Sequence, residues 1–360
     1  MTRTRSFGQL EDGTVVQALR LGEGGGLSAE ILDLGGILAR LEFDGAQGRT
    51  GVVLGLDDAQ AYFDDPAYLG ILVGRFGNRI SGAAFELDGQ RHEVTANEGR
   101  HHLHGGALGF GRRMWTVEEH AADRLVLRYR SPDGEEGYPG NLEVRATYRL
   151  RGARLRLDFE AICDAPTLFN PTHHPYFNLA GDCSVPAAAQ WLQVPASRYL
   201  PVDGRLIPFG TLADVAGTPF DFREARTLDV AADPSDPQLR MAGGYDHCLV
   251  LDGGAGPVAR LYSPHSGIAL RIDSDAPALQ LYGGHALDHQ HPGLGRGICL
   301  EPQGFPDAPN KPAFPDAILR PGTVFRRRIE YGFATPGPRR KWEEVAAALD
   351  ACGPDPSIFD

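Results

Sequence analysis

Two runs far apart in the chain carry the residue types that move protons. Asn170-Pro171-Thr172-His173-His174-Pro175-Tyr176-Phe177-Asn178-Leu179 supplies imidazoles, and Glu301-Pro302-Gln303-Gly304-Phe305-Pro306-Asp307-Ala308-Pro309-Asn310 supplies a carboxylate. Pro, Asn, Thr and aromatic residues crowd both, a mixture that suits rigid loops aiming side chains into a cleft better than helix or strand interiors. Acid/base catalysis is the chemistry such a pair can do. Glu301 follows the apolar run Ile298-Cys299-Leu300 and precedes a proline, which puts a carboxylate at the mouth of a buried strand, where it needs a partner.

Four further segments join polar groups to strand-end sequence: Gly74-Arg75-Phe76-Gly77-Asn78-Arg79-Ile80, His101-His102-Leu103-His104-Gly105-Gly106, Gly244-Tyr245-Asp246-His247 and Gln280-Leu281-Tyr282-Gly283-Gly284-His285. Their Asn, Gln, Asp, Arg and His side chains are the donors and acceptors that sugar hydroxyls require. Tyr176, Phe177, Tyr282 and Phe305 offer flat faces for a sugar's C–H side, and the glycines would let a small ligand come close to the backbone. Each residue also has a plain alternative: a buried histidine with a satisfied hydrogen bond, a turn-forming Asp246, a structural Asn78-Arg79 pair. His102 and His104 have the His-x-His spacing of a strand metal site, but no HExxH or Cys/His pairing supports it, so no metal is expected.

The elements that position these groups read as strands. In 142–150 and 154–161 apolar and charged residues alternate strictly around Arg151-Gly152-Ala153, the pattern of a hairpin with one buried and one wet face. Alternation returns at 124–129 and 268–272, whereas 51–54 and 298–300 are apolar throughout and suit strands buried on both faces. The 46 Gly and 27 Pro are spread along the 360 residues, as many short strands joined by tight turns demand, and no interior linker stands out. Helical spacing appears only near the end, where Trp342, Val345, Ala346 and Leu349 follow i, i+3, i+4, i+7 between the breakers Pro336-Gly337-Pro338 and Gly353-Pro354. This helix is expected to pack on the sheet body.

A net charge of −12 argues against nucleic acid or an anionic membrane as partner, and Arg326-Arg327-Arg328 is expected to be solvated surface on alternating faces. Five cysteines without a CxxC pair suggest reduced thiols and a cytoplasmic location. No apolar leader follows Met1, and no stretch reaches the ~18 apolar residues of a membrane span.

Taken in order, the 52–57 strand, Asn78-Arg79-Ile80, Leu103-His104-Gly105-Gly106, the 170–179 run, Tyr245-Asp246-His247 and the 301–310 run resemble the aldose 1-epimerases, or galactose mutarotases. The resemblance implies an all-β, galactose-mutarotase-like β-supersandwich over 1–335, a monosaccharide ligand and no cofactor; the helical extension at 336–360 lies outside the family's catalytic body, and a monomer or homodimer is expected. It implies Glu301 as general base and His174 as general acid. It implies sugar contacts from Asn78, Arg79, His104, Tyr176, Asp246 and Gln280. The family often has Asn where this chain has His173, which is expected to stand behind His174 or to be the alternative acid.

Ring opening of a cyclic hemiacetal takes the proton from the C1 hydroxyl while O5 is protonated, and reclosure on the other face reverses both steps. A carboxylate and an imidazolium on opposite sides of the sugar would serve, with the carboxylate raising the histidine above its usual ~6.5. Rival readings are a hexose-phosphate 1-epimerase, which should gather Arg or Lys around phosphate; a glycosidase using Asp246 with Glu301; and a non-catalytic carbohydrate-binding protein.

Overall fold

A computed structural model of the chain describes residues 3–228, 235–254 and 256–353. Among these, strands form a nine-stranded, a six-stranded and a five-stranded antiparallel sheet, with short two-stranded ladders between them. The chain is therefore an all-β sandwich with a short C-terminal helix.

The predicted hairpin is the centre of the nine-stranded sheet. Leu142–Arg151 pairs with Arg154–Cys163, which in turn pairs with Phe325–Ala334. Its alternation has the expected consequence. Val144, Ala146, Tyr148, Leu155, Leu157 and Phe159 are buried in one large core, while Arg145, Arg149, Arg156 and Asp158 lie on the other face in ion pairs. The core's opposite wall is the six-stranded sheet, through Leu249, Leu279, Leu281, Ile298 and Leu300, together with Leu19, Leu21, Ile31 and Leu41 of the five-stranded sheet.

Two expectations need correction. The apolar run 51–54 is not a regular strand: the strand Gly48–Gly51 ends where the run begins, and Val53 makes a single bridge to Phe177. Burial of Val52 explains the apolar composition without a ladder. Of the three arginines, only Arg326 is freely solvated. Arg327 shares the inward face with Phe325 and Ile329 and is 11% exposed beside Asp275, and Arg328 pairs with Asp158.

The helix Trp342–Ala351 buries Val345 and Leu349 against Tyr262, Ala269 and Ala334, on the outer face of the nine-stranded sheet. Trp342 stacks on Trp191, Glu344 accepts the Lys341 N–H, and Arg154 donates twice to the Cys352 carbonyl. Pro354 and the rest of the predicted extension lie outside the described residues. No described helix is long and apolar enough to cross a membrane, and the five cysteines are unbonded.

Candidate active site

Strand register builds the floor of the site. Opposed residues of an antiparallel pair share a face, so the partners Tyr176↔Cys299, Glu301↔Gln280, Cys299↔Tyr282 and Tyr282↔Asp246 carry these side chains to one side of the six-stranded sheet. The intervening Phe177, Ile298, Leu300, Leu281 and His247 turn to the other side. Glu301 thus lies inside the strand Ile298–Gln303 rather than at its mouth, and 298–300 alternate between cavity and core. Pro302 is tolerated because the flanking strand Tyr176–Phe177 has already ended its pairing at Cys299.

The walls come from irregular segments. Thr172–His173 pairs with Leu72–Val73, and His174 is pinned by its N–H to the Ile71 carbonyl and by its carbonyl to the Gly70 N–H. Consecutive side chains on such a segment face opposite ways, so the double histidine divides. His174 enters the cavity, whereas His173 points into the core, with Nδ1 3.0 Å from the Tyr331 hydroxyl and Nε2 3.5 Å from that of Tyr148. Tyr68, Asn78 and His104, which surround the site, all have left-handed backbone with φ of 60°, 64° and 50°. Such residues cost about 1–3 kcal/mol each and persist only where their surroundings fix them. Gly105 shows how tightly: a Cβ there would stand 1.7 Å from the Gly74 carbonyl oxygen. That glycine serves close packing of two loops, not the expected approach of a ligand.

The result is a cavity of about 680 Å³ lined by Asn78, Arg79, His104, His174, Tyr176, Asp246, Tyr282 and Glu301, among others. Gln280 lies in the same floor, its Nε2 donating to Asp246 at 2.5 Å. Tyr176 offers a ring only, since its hydroxyl donates to the Ala67 carbonyl. Phe177 and Phe305, expected as sugar platforms, are core residues packed on Tyr331 and Phe314. Of the three clustered histidines only His104 reaches the cavity. His102 is spanned by Thr95 and Tyr138, and His101 accepts from the Gly82 N–H. Arg75 is buried elsewhere, on Ser131, Thr167 and three backbone carbonyls. Sequence reasoning missed Tyr68, Glu98 and Arg112, which line the cavity from loops whose composition carries no chemical signature.

At the centre, His174 Nε2 stands 3.6 Å from Glu301 Oε1, with both side chains almost wholly buried. Burial pulls the His174 imidazole down to about 4, against smaller opposing effects from its own backbone and Asp65. Burial, reinforced by Asp246 and opposed by Arg79, holds the Glu301 carboxyl well above its ordinary value. The expected elevation of the histidine by its carboxylate is therefore reversed: desolvation outweighs the pair's attraction, lowering the imidazole and raising the carboxyl. They also stand side by side rather than across a sugar. Behind His174, Cys299 Sγ lies 3.7 Å from Nδ1. Glu301 Oε2 and Gln280 Oε1 are buried with no protein hydrogen-bond partner.

His104, His174 and Glu301 present donor atoms within 4.8 Å of one another, the only such trio among the described residues. Its chemistry does not suit a metal. His104 Nδ1 accepts the Asn78 N–H, so the neutral ring carries its hydrogen on Nε2, and ligation through Nε2 would turn an Nδ1–H against that amide.

Comparison with known proteins decides the kinship. The sequence model described as aldose 1-epimerase matches residues 17–332. The chain belongs to the aldose 1-epimerase family. The galactose mutarotase of Homo sapiens is 36% identical over 318 residues, covering 86% of this chain and 91% of that protein. The aldose 1-epimerase of Escherichia coli K12 is 35% identical over 337 residues, covering 89% and 96%. The crystal structure of galactose 1-epimerase from Lactobacillus acidophilus superposes with a TM-score of 0.81 at 31% identity, covering 92% of this chain and 97% of that one. As a member of this family the chain is an isomerase, an aldose 1-epimerase interconverting anomers.

Proposed function

We propose that Glu301 is the general base and His174 the general acid of this mutarotation, acting on a free aldose. The observation that carries the reading is the buried 3.6 Å pair in a sugar-sized cavity. The C1 hydroxyl and O5 are bonded to the same carbon, so one acid and one base side by side reach both. Ring opening requires the pair as carboxylate and imidazolium, with one proton between them. Transfer to O5 and removal from O1 leave carboxyl and imidazole beside the open-chain aldehyde. Rotation about C1–C2 and the reverse transfers give the other anomer, and the pair ends as it began. The depressed imidazole and raised carboxyl favour carboxyl with neutral imidazole, the protonation state that accompanies the open chain.

Asn78, Arg79, His104, Asp246 and Gln280 are proposed to hold the sugar hydroxyls and Tyr176 to bound its apolar face, with His104 donating through Nε2–H. The free acceptors Gln280 Oε1 and Glu301 Oε2 support this. We further propose a cytoplasmic, cofactor-independent monomer or homodimer with no nucleic-acid or membrane partner, in which 1–335 is one catalytic body and 336–360 an extension whose helix Trp342–Ala351 packs away from the cavity. The sugar-phosphate alternative loses support because Arg75 lies outside the cavity. Polarimetry over a panel of freshly dissolved α-aldoses tests the reading. Absence of accelerated mutarotation for every aldose would leave only sugar binding.

A further inference from the structure

The cavity holds two arginines, and neither offers a free fork. Arg79 donates through Nε and Nη2 to Glu98 at 2.7 and 2.6 Å, and its Nη1 stands 3.7 Å from Asp246. Arg112 spends its nitrogens on the carbonyls of Phe63, Ala107 and Asp65 while stacking over Tyr68. Against them stand the carboxylates of Glu98 and Asp246, and burial lowers the pKa of the three cavity-lining histidines, His104, His174 and His285, which disfavours positive charge there. Glu98 is fixed rather than adventitious. Its N–H and carbonyl both bond His101, and the neighbouring Asn97 side chain bonds both backbone groups of Leu103, which pairs with Arg79 in the ladder His102–Leu103.

We propose that Glu98 is a specificity-determining residue, filling the guanidinium fork of Arg79 so that the cavity accepts neutral aldoses and refuses anionic ones such as sugar phosphates. This rests on the mutarotase reading and deepens it. A phosphate binds arginine through the same two parallel N–H donors that Glu98 occupies, so binding an anion there would mean displacing a bidentate carboxylate whose side chain is 35% exposed, and doing so beside the carboxylate of Asp246. Glu98 also positions Arg79, since the paired fork leaves Nη1 as the edge directed toward Asp246.

Inorganic phosphate is the probe, with chloride at equal ionic strength as control. For Glu98→Ala, phosphate should compete with the aldose at a concentration at least about tenfold lower than for the unaltered enzyme, with KM for the neutral aldose raised more than kcat is lowered. Glu98→Gln, which keeps the bulk without the charge, should shift in the same direction, and Glu98→Asp should retain resistance. Calorimetric titration with phosphate should give the same order without turnover. Equal phosphate affinity in the unaltered enzyme and both charge-removing variants overturns the assignment. Failure of the unaltered enzyme to mutarotate any aldose overturns the functional reading instead.

Discussion

Glu301→Gln removes the proposed base while preserving the volume of a side chain that is 1% exposed. A positioned base contributes about 10² to 10⁴ in rate, or about 3–5 kcal/mol of barrier. The loss should fall toward the upper end of that range. The amide cannot take the O1 proton, and His174, still buried but without its carboxylate 3.6 Å away, has lost the counter-charge that makes an imidazolium tolerable. One substitution thus disables both partners, and Glu301→Gln/His174→Asn should be little slower than either single variant. Stability should move the other way. Folding raises the Glu301 pKa, so its contribution is fully present below the unfolded value of ~4.3 and is lost as pH rises through the native value. Relative to the unaltered protein, the variant should therefore melt higher at pH 8 than at pH 4. Polarimetry on α-galactose and α-glucose gives the rates and a thermal melt the second comparison. A variant rate within threefold of the original, or losses that multiply in the double variant, would refute the reasoning.

His174→Asn should slow mutarotation by at least about 10², whereas His173→Asn should act chiefly on stability, by about 1–3 kcal/mol, because it takes from the buried Tyr331 hydroxyl its partner at 3.0 Å. Rates from polarimetry and midpoints from urea unfolding separate the two, and a slower His173 variant would exchange the roles. Burial depresses His102 to about 4 and His173 and His247 to about 3, so their contribution is fully present above ~6.5 and is lost as pH falls toward those values. Urea midpoints should accordingly drop between pH 6.5 and 4, by up to about 1.4 kcal/mol per pH unit for each histidine. Gly105→Ala should lower both the urea midpoint and the mutarotation rate, since its Cβ would force apart the loops that hold His104.

Much of the fold was legible because alternation reports burial directly. The hairpin Leu142–Arg151 and Arg154–Cys163 and the helix Trp342–Ala351 appear where their periodicity puts them. Runs without alternation were harder. At 51–54 and 298–300 an apolar composition was compatible with two-sided burial, yet one is mostly irregular chain, and the other alternates between the core and the buried floor of the site. Composition cannot distinguish a side chain buried in a core from one buried in a cleft, and so Phe177 and Phe305 read in the sequence as sugar platforms although both pack in the core.

By itself the sequence determined that this is an all-β chain with a C-terminal helix and with the ordered motifs of one family, because local periodicity and short motifs survive without coordinates. It also supplied the candidate acid and base, since few residue types move protons near neutrality. Only tertiary structure decided that His174 faces the cavity and His173 the core, a matter of one residue's register against Leu72–Val73. Only tertiary structure set the direction in which the His174 and Glu301 pKa values move, because desolvation depends on what surrounds a group and not on its neighbours in the chain. The link from Arg79 to Glu98 and Asp246 likewise joins segments from distant parts of the sequence, and no local signal marks a contact that exists only when the sheets close.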